Sequence, residues 1–345
     1  MELHDLKRML QRHFTDGLVT VVGSGLSCAE GLPGMGELAS HLEATVTAGL
    51  AAVDIQRWKE ISPLLTVKGL EAALLEKPPT PALEAAIVAR TTELIAAREK
   101  KIVAEVFSRA RTLRFTHLVN FLPKPHNGVP ILTTNYDRLI EVAVEEGGLG
   151  VDTLFVGQYA GELNEKESRL SFLREVKKQG STIQYRFRER ANVFKPHGSL
   201  DWFHRDGKPV RYTGELDHPR LIITPGLNKF RNGYESPFDR HRERANLAID
   251  QASRFLIIGY GFNDDHLETH LTPRIRYGAE TVLLARTLSD NALKLLKESP
   301  KMIAIQHAKE DGVAGSRVWI GGDRAFYQGL ALWDLGEFVA AVLEP

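Results

Sequence analysis

An apolar strand runs directly into a glycine-rich turn near the start of the chain. Residues 18–23 form a continuous apolar run rather than an alternating one, which is typical of a parallel strand buried on both faces. Parallel strands are joined by long crossovers, usually helices, so this run favours an α/β sheet. Gly23 and Gly25 have no side chains, and the free backbone N–H groups of such a turn and its following helix attract anions. The turn therefore predicts a phosphate site, to which Ser27 adds a hydroxyl donor.

Strand and helix patterns alternate along most of the chain. After a predicted helix over 3–14 and the first strand, apolar runs predict strands at 129–134, 191–195, 221–224, 255–259, 281–285 and 302–305. Helical patterns separate several of them, at 135–146, 238–252, 264–275 and 289–298. This alternation predicts an α/β fold with a doubly wound, Rossmann-like parallel sheet. Residues 151–190 are more polar and are predicted to be irregular, with one short strand at 182–187.

A long helical stretch interrupts this alternation. Residues 51–122 are rich in Ala, Leu and Glu with apolar spacings near three and four, broken at 77–81. We therefore expect a helical insertion subdomain over 51–122 and a main α/β domain made of 1–50 and 123–345. The insertion exceeds what a crossover needs, and its apolar residues must be buried on the main domain or against another subunit. These residues are Ile55, Trp58, Leu64, Leu65, Leu70, Leu74 and Leu75.

Composition excludes several classes of protein. The 44 basic and 44 acidic residues balance, which gives no support to a dedicated nucleic-acid binder, although a local basic patch can hide inside the average. No apolar run approaches the roughly 18 residues of a membrane span, and the N-terminus has no apolar signal core. We expect a cytoplasmic protein without direct nucleic-acid or membrane binding. The single cysteine, Cys28, excludes an intramolecular disulfide and a four-thiolate zinc site.

Polar clusters follow four of the predicted strands. They are the glycine turn after the first strand, Thr134–Asp137 after the second, Lys195–Asp201 after the third, and Gly259–Asp265 after the fifth. Ligands of open α/β sheets bind beyond the carboxyl ends of the strands, so these clusters are expected to meet at one edge.

The order of these motifs resembles sirtuins, and in particular the sirtuin-like (SIR2-like) NAD-hydrolysing proteins of bacterial anti-phage defence. The resemblance spans residues 18–285 and rests on G-S-G-L-S-x-x-x-G-L-P at 23–33, T-x-N-x-D at 133–137, the pair His197-Gly198, and the late glycine turn at 259–261. The D-F-R of deacylases is replaced by Gly34-Met35-Gly36, and the zinc cysteines are absent. Both departures speak against protein deacylation.

The resemblance implies roles for individual residues. His197 would be the general base, Asn135 would position water or a ribose hydroxyl, and Asp137 would join them in catalysis. From these motifs, and for Arg286 from its position after the sixth predicted strand, we expect contacts to NAD by Gly23, Ser24, Gly25, Ser27, Pro33, Thr133, Thr134, Asn135, Asp137, Gly259, Gly261, Asn263, Asp264 and Arg286. The residues alone leave other readings open: Asn135 as a helix cap, Asp137 as first-turn charge, His197 as a core histidine, and Arg286 as a surface ion pair.

The expected function is cleavage of NAD+ to nicotinamide and ADP-ribose, with NAD as substrate and no metal. His266 and His270 lie one helical turn apart but lack a third ligand. The resemblance further implies a HerA-type ATPase or an Argonaute-like partner, and restraint of such an enzyme favours a homo-oligomer. The alternatives are a protein deacylase, a nicotinamide dehydrogenase with Val53-Asp54 as its acidic strand end, and a non-catalytic sensor of NAD or ADP-ribose.

Overall fold

The computed structural model describes residues 1–223 and 235–344. Its strands are β1 (Leu18–Val22), β2 (Val129–Thr133), β3 (Gly150–Asp152), β4 (Phe155–Val156), β5 (Gly161–Leu163), β6 (Leu173–Gln179), β7 (Thr182–Phe187), β8 (Arg190–Phe194), β9 (Gly198–Arg205), β10 (Lys208–Arg211), β11 (Arg220–Ile222), β12 (Arg254–Ile258), β13 (Glu280–Ala285), β14 (Met302–Glu310), β15 (Val313–Ile320) and β16 (Asp323–Gln328). Its helices are α1 (Leu3–Gln11), α2 (Ser24–Ala29), α3 (Met35–Thr45), α4 (Ala52–Lys68), α5 (Leu70–Glu76), α6 (Pro81–Phe107), α7 (Arg114–Val119), α8 (Leu139–Glu146), α9 (Glu165–Ser171), α10 (Phe238–Gln251), α11 (Asp265–Arg276), α12 (Asp290–Glu298), α13 (Leu335–Phe338) and a π-helical segment Val339–Leu343.

The main sheet has nine strands in the order β16-β15-β14-β13-β12-β1-β2-β8-β3. The strands from β14 to β3 run parallel, and β15 and β16 add an antiparallel edge. The chain moves outward from β1 to β2 on one side and later returns to place β12 on the other side. This reversal is the topological switch point of a Rossmann-type sheet, where ligands collect at the carboxyl ends of the strands.

Two apolar cores lie on opposite faces of the main sheet. Alternate residues of each central strand face opposite ways, so in β1 Leu18 and Val22 enter one core, whereas Val19 and Val21 enter the other. The first core is closed by α1, α7, α8, α13 and the C-terminal part of α6. The second is closed by α10, α11 and α12. The predicted doubly wound α/β fold is therefore confirmed.

A second, antiparallel sheet takes strands from before and after β8, in the order β11-β9-β10-β5-β4. We predicted a strand at 221–224 within the alternating series, but β11 pairs antiparallel with β9 and does not join the parallel sheet. The physical reason is that no helix lies between β8 and β11 to carry a parallel crossover. Thr224 lies outside the described residues.

The segment predicted to be irregular is more regular than its polarity indicates. Residues 151–190 contain α9, the strands β4, β5, β6 and β7, and all of β3 except Gly150. The predicted strand at 182–187 is β7, which pairs with β6 as a two-stranded hairpin. The hairpin is exposed over most of its length, which explains its weak apolar pattern.

The stretch 51–122 contains α4, α5, α6 and α7 and no strand. The long helix α6 begins where the Thr80 hydroxyl accepts from the Leu83 N–H, with Pro81 in the first turn. Trp58, Leu65, Leu70 and Leu74 are buried in a separate cluster that α3 completes through Leu38, Leu42 and Val46. The end of α6 and the whole of α7 pack instead in the first core of the main sheet. The domain boundaries at 50 and 122 stay a prediction.

Within the described ranges, no helix combines the length and apolarity that crossing a membrane requires.

Candidate active site

A cavity of about 280 Å³ lies beyond the carboxyl ends of four adjacent strands, β12, β1, β2 and β8. Apolar side chains from α3 and α6, including Leu38 and Ile95, form part of its wall. Most of the residues implied by the sequence motifs line it: Gly23, Ser24, Ser27, Pro33, Thr134, Asn135, Asp137, His197, Gly259, Gly261, Asn263 and Asp264. Segments more than 200 positions apart thus contribute to one site.

The two glycines after β1 are required by close packing between two turns. A Cβ on Gly23 would lie 2.4 Å from the Gly259 carbonyl oxygen, and one on Gly25 would lie 2.7 Å from the Gly259 Cα. The Gly23 N–H donates to the Ile258 carbonyl at 2.9 Å, and the Gly25 N–H donates to that of Gly259 at 3.0 Å. These two amides therefore do not serve as free phosphate donors, contrary to our expectation, because the neighbouring turn already accepts from them.

Ser27, Asn135 and Asp137 form a buried hydrogen-bond chain. The Asn135 Nδ2 donates to Ser27 Oγ at 2.8 Å and to the Gly23 carbonyl at 3.0 Å, and Ser27 Oγ donates to Asp137 Oδ2 at 2.7 Å. The Asn135 N–H donates to Thr133 Oγ1 at 3.1 Å, which fixes the turn after β2. Asn135 is not a helix cap, because α8 begins only at Leu139. The chain orients the Asn135 side chain and one Asp137 oxygen within the cavity wall.

Asp137 is a buried carboxyl group whose pKa is raised toward neutral pH. Burial raises its pKa to about 6, while Lys195 and the Ser27 hydroxyl act in the opposite direction. Its second oxygen accepts from the Leu139 N–H at 3.1 Å, so Asp137 precedes the helix rather than lying in its first turn. A group with this pKa changes charge within the ordinary working range of an enzyme.

Lys195 lies beneath this loop and was not singled out as a functional residue from the sequence. Its side chain is fully buried, and Nζ donates to Glu141 Oε1 at 3.0 Å and to the carbonyl oxygen of Asp137. Its backbone N–H donates to Nδ1 of His241, a histidine whose pKa is lowered to about 3 by burial and by Lys195. A lysine at the end of a buried strand requires a carboxylate partner, and that signal was available in the sequence.

His197 lies in the turn between β8 and β9, with its Nε2 2.6 Å from Asp264 Oδ2. Asp264 is held in turn because its other carboxylate oxygen accepts from the His266 N–H at the start of α11. A carboxylate this close to one ring nitrogen can orient the imidazole and leaves Nδ1 for a substrate proton. His197 is therefore a pocket histidine and not a core histidine.

Helix α6 contacts the loop that carries Asp137. The fully buried Glu99 accepts from the Arg138 N–H, and it accepts from Arg138 Nε at 3.0 Å. Because Arg138 is adjacent to Asp137, this ion pair connects α6 to the loop that carries Asp137. Tyr136 also lines the cavity and donates its hydroxyl to the Ile223 carbonyl at 2.7 Å.

Three of the implied contacts do not line the cavity. Gly25 packs against Gly259, and Thr133 is buried where it supports Asn135. Arg286 follows β13, one strand further out, and is exposed.

Other residues raised by the sequence lie elsewhere. Trp202 and Phe203 are core residues. Cys28 does not line the cavity, and burial, Asp137 and Glu37 raise the pKa of its thiol, which disfavours a thiolate nucleophile. His270 pairs with Asp250 at 2.9 Å. In the part of the chain that the structure describes, no three His, Cys, Asp or Glu side chains are grouped to hold a metal ion.

Comparison with known families matches one stretch of the chain. Residues 129–299, just under half of the chain, match the family model described as the SIR2-like domain. This stretch contains Asn135, Asp137, His197 and Asp264. Comparison with curated proteins found no match.

Comparison with solved structures finds sirtuins over most of the chain. A structure of Sir2 bound to an acetylated peptide has 13% identity and a TM-score of 0.39, and the match covers 85% of this chain and 90% of that one. A Sir2 homologue in complex with ADP-ribose has 14% identity and a TM-score of 0.41, with coverage of 85% and 88%. A structure concerned with the mechanism and regulation of Sir2 enzymes has 11% identity and a TM-score of 0.40, with coverage of 84% and 88%. Similarity at this level carries no conclusion about ligand or activity. What the comparisons establish is that residues 129–299 of this chain match the SIR2-like domain.

Proposed function

We propose that the protein hydrolyses NAD+ to nicotinamide and ADP-ribose. The observation that carries the proposal is the pairing of His197 with Asp264 at 2.6 Å in the same cavity as the hydrogen-bonded side chains Ser27, Asn135 and Asp137. The match of residues 129–299 to the SIR2-like domain supports it, because four of these five residues lie in that range.

The residues fit a nucleotide substrate that loses a neutral leaving group. Nicotinamide departs from a cationic pyridinium and leaves oxocarbenium-like charge on the ribose, so the protein needs orientation and electrostatics more than a strong nucleophile. The Asn135 amide would orient the attacking water or a ribose hydroxyl. Asp137, ionised above its pKa of about 6, would stabilise the developing positive charge. His197 would accept the proton of the attacking water, oriented by Asp264.

Incubation of the purified protein with NAD+, followed by chromatography of nicotinamide and ADP-ribose, tests the proposal. We expect turnover by the native protein and a loss of about 10²–10⁴-fold in His197→Ala, since a general base contributes on that scale. His270→Ala is the matched control, because His270 lies on the surface of α11 and pairs with Asp250. It should keep turnover within about twofold.

The same assay separates the alternatives. Nicotinamide release only with an acyl-lysine peptide would identify a deacylase, and conversion of NAD+ to NADH with a reduced substrate would identify a dehydrogenase. Binding of NAD+ without consumption would identify a sensor. A folded His197→Ala protein with unchanged turnover would exclude the mechanism. The dehydrogenase reading is disfavoured because Asp54 lies within helix α4, where it accepts from the Thr80 hydroxyl at 2.5 Å.

We further propose that the activity serves anti-phage defence by NAD depletion, in a homo-oligomer or with a HerA-type ATPase or an Argonaute-like protein. An enzyme that destroys a central cofactor needs restraint. Ile95 of α6 lines the cavity, so movement of the helical stretch would change access to it. Trp58, Leu65, Leu70 and Leu74 are buried within the chain, so these four residues supply no interface. Light scattering combined with the NAD assay tests restraint, and a monomer with full activity would exclude it.

A further inference from the structure

A second cavity, of about 780 Å³, lies between α9, β7 and α10 and shares no lining residue with the candidate active site. Four cationic side chains line it, Lys166, Arg169, Arg240 and Arg244. Two aromatic rings line it as well, those of Tyr185 and Phe187. Glu165 is the one acidic residue among the lining residues. The proposed cleavage of NAD assigns no role to this cavity.

The cations of the cavity are only partly neutralised. Arg244 pairs with Glu165, and Arg240 lies 3.2 Å from Glu243. Within residues 1–223 and 235–344, Lys166 and Arg169 form no ion pair, and both are exposed. Two cations at one concave surface without acidic partners favour an anionic ligand.

The aromatic residues add a second kind of contact. The Phe187 ring has the guanidinium of Arg169 at 5.3 Å and that of Arg190 at 5.2 Å. Tyr185 is 49% exposed, and its carbonyl accepts from His126 Nε2 at 3.1 Å, which holds the strand in place. Flat aromatic and guanidinium groups at a basic surface are the platforms on which unpaired bases stack.

The hairpin that carries these rings also presents basic and exposed apolar side chains beyond the cavity. Residues 173–190 contain six basic and two acidic residues, in a chain whose net charge is zero. Five of the six basic residues are exposed, and the sixth, Arg190, is buried beside Asp152. Val176 on β6 lies opposite Tyr185 on β7, and Val176 and Ile183 are both about half exposed. Ile183 and Tyr185 lie on one face because they are two residues apart. Strand β7 has six residues and spans about 20 Å, so the combined surface is longer than a single nucleotide requires.

We propose that this cavity and the hairpin 173–190 bind single-stranded nucleic acid. Phosphates contact Lys166 and Arg169, and an unstacked base lies on Tyr185. A base must be unpaired to reach a ring inside a cavity, which favours single strands over duplexes. The site would be the local basic patch that balanced composition conceals. It differs from our expectation that no nucleic acid is bound directly, and it does not rest on the proposed NAD chemistry.

Fluorescence anisotropy with a labelled twelve-nucleotide oligo-dT tests the proposal. We expect saturable binding at 50 mM salt that weakens steeply at 200 mM, because phosphate contacts release counterions. Lys166→Glu combined with Arg169→Glu should weaken binding at least tenfold, and Tyr185→Ala about fivefold or more. The matched control is Lys294→Glu combined with Lys297→Glu, which reverses two charges on α12 away from the cavity and should change affinity less than twofold.

Several results would overturn the proposal: no binding at 50 μM protein in 50 mM salt, equal loss in the cavity and control variants, equal affinity for a duplex of the same length, or displacement of the oligonucleotide by equimolar AMP. Melting curves establish that each variant is folded. Nicotinamide release by the Lys166/Arg169 variant should equal that of the native protein, so failure of nucleic-acid binding and failure of the NAD proposal give different results.

Discussion

At the scale of single residues, Asp137 places a carboxylate where water is excluded. Burial raises its pKa to about 6 from the ordinary value of 3.8. Between these pH values the folded protein holds a proton that the unfolded chain has released, so the contribution to stability is lost as pH rises through 6. The test compares the free energy of unfolding of the native protein with that of Asp137→Asn. We expect the native value minus the variant value to be about 1 kcal/mol larger at pH 5.0 than at pH 7.5. Urea unfolding of both proteins at the two pH values measures this difference.

The difference between the two proteins isolates the one carboxylate, because all other titrating groups are shared. A difference that does not change with pH would show that Asp137 titrates at its ordinary pKa, and a change with the opposite sign would show that its pKa is not raised in the folded protein. The side-chain oxygen of the Asn variant can still accept from the Leu139 N–H, so the substitution preserves this hydrogen bond.

Single residues of the site were partly predictable. The types and order of Asn135, Asp137 and His197 identified them, because polar residues directly after buried strands have few structural reasons to be there. Their partners were not predictable in the same way. The contacts of His197 with Asp264, and of Glu99 with Arg138, join segments separated by 67 and 39 positions. Such pairs depend on the order of strands in the sheet and on the path of α6, which local patterns do not encode.

At the scale of elements, the turn after β1 and the turn after β12 pack too closely for a side chain on Gly23. We expect Gly23→Ala to cost about 1–3 kcal/mol, because the new Cβ would meet backbone atoms that cannot move independently. Gly36→Ala in α3 is the matched control: a Cβ there meets nothing within 4 Å, and removing a helical glycine stabilises by up to about 1 kcal/mol. Thermal and urea unfolding measure both effects, and equal destabilisation would contradict the packing argument.

The helix α6 offers a second comparison within one element. Glu99→Ala leaves the Arg138 charge and N–H without their buried acceptor, and we expect a loss of about 2–4 kcal/mol together with reduced NAD turnover. Glu93→Ala on the same helix removes only the exposed pair with Arg90 and should lie within about 0.5 kcal/mol of the native protein. If both variants unfold at the same urea concentration as the native protein, the contact between Glu99 and Arg138 does not contribute to stability.

Elements were predicted best where their pattern is strong and local. The buried strands β1, β2, β8, β12, β13 and β14 were all located, because continuous apolar runs with few or no charges are typical of buried strands. The antiparallel strands β9, β10, β15 and β16 were missed, although Asp206-Gly207 and Asp311-Gly312 are both typical hairpin turns. All four of these turn residues have positive φ, as a type I′ turn requires. Strands β10, β15 and β16 are short or partly exposed, and the buried strand β9 carries the polar residues Ser199 and Asp201, so the apolar signal of all four was weak.

At the scale of the whole molecule, we expect stability and NAD cleavage to be independent of metal ions. The prediction follows from the single cysteine and from the lack, within the described ranges, of any group of ligands arranged for an ion. Melting temperature and NAD turnover measured with and without excess EDTA should agree, because a structural metal would make chelation destabilising. A stoichiometric metal found by elemental analysis, together with a lower melting temperature in EDTA, would contradict this.

The site draws its side chains from the ends of strands far apart along the chain. Ser27, Asn135, His197 and Asp264 reach the same cavity only after the sheet has closed around β1, with β12 on one side and β2 on the other. A ribosome-bound nascent chain that has exposed the sequence up to residue 250 therefore has the glycine turn and His197 but not the carboxylate that orients this imidazole. Premature termination before Asp264, or proteolytic loss of the segment that contains it, leaves the same incomplete set. Synthesis from the N-terminus thus delays assembly of the site until Asp264 has been made.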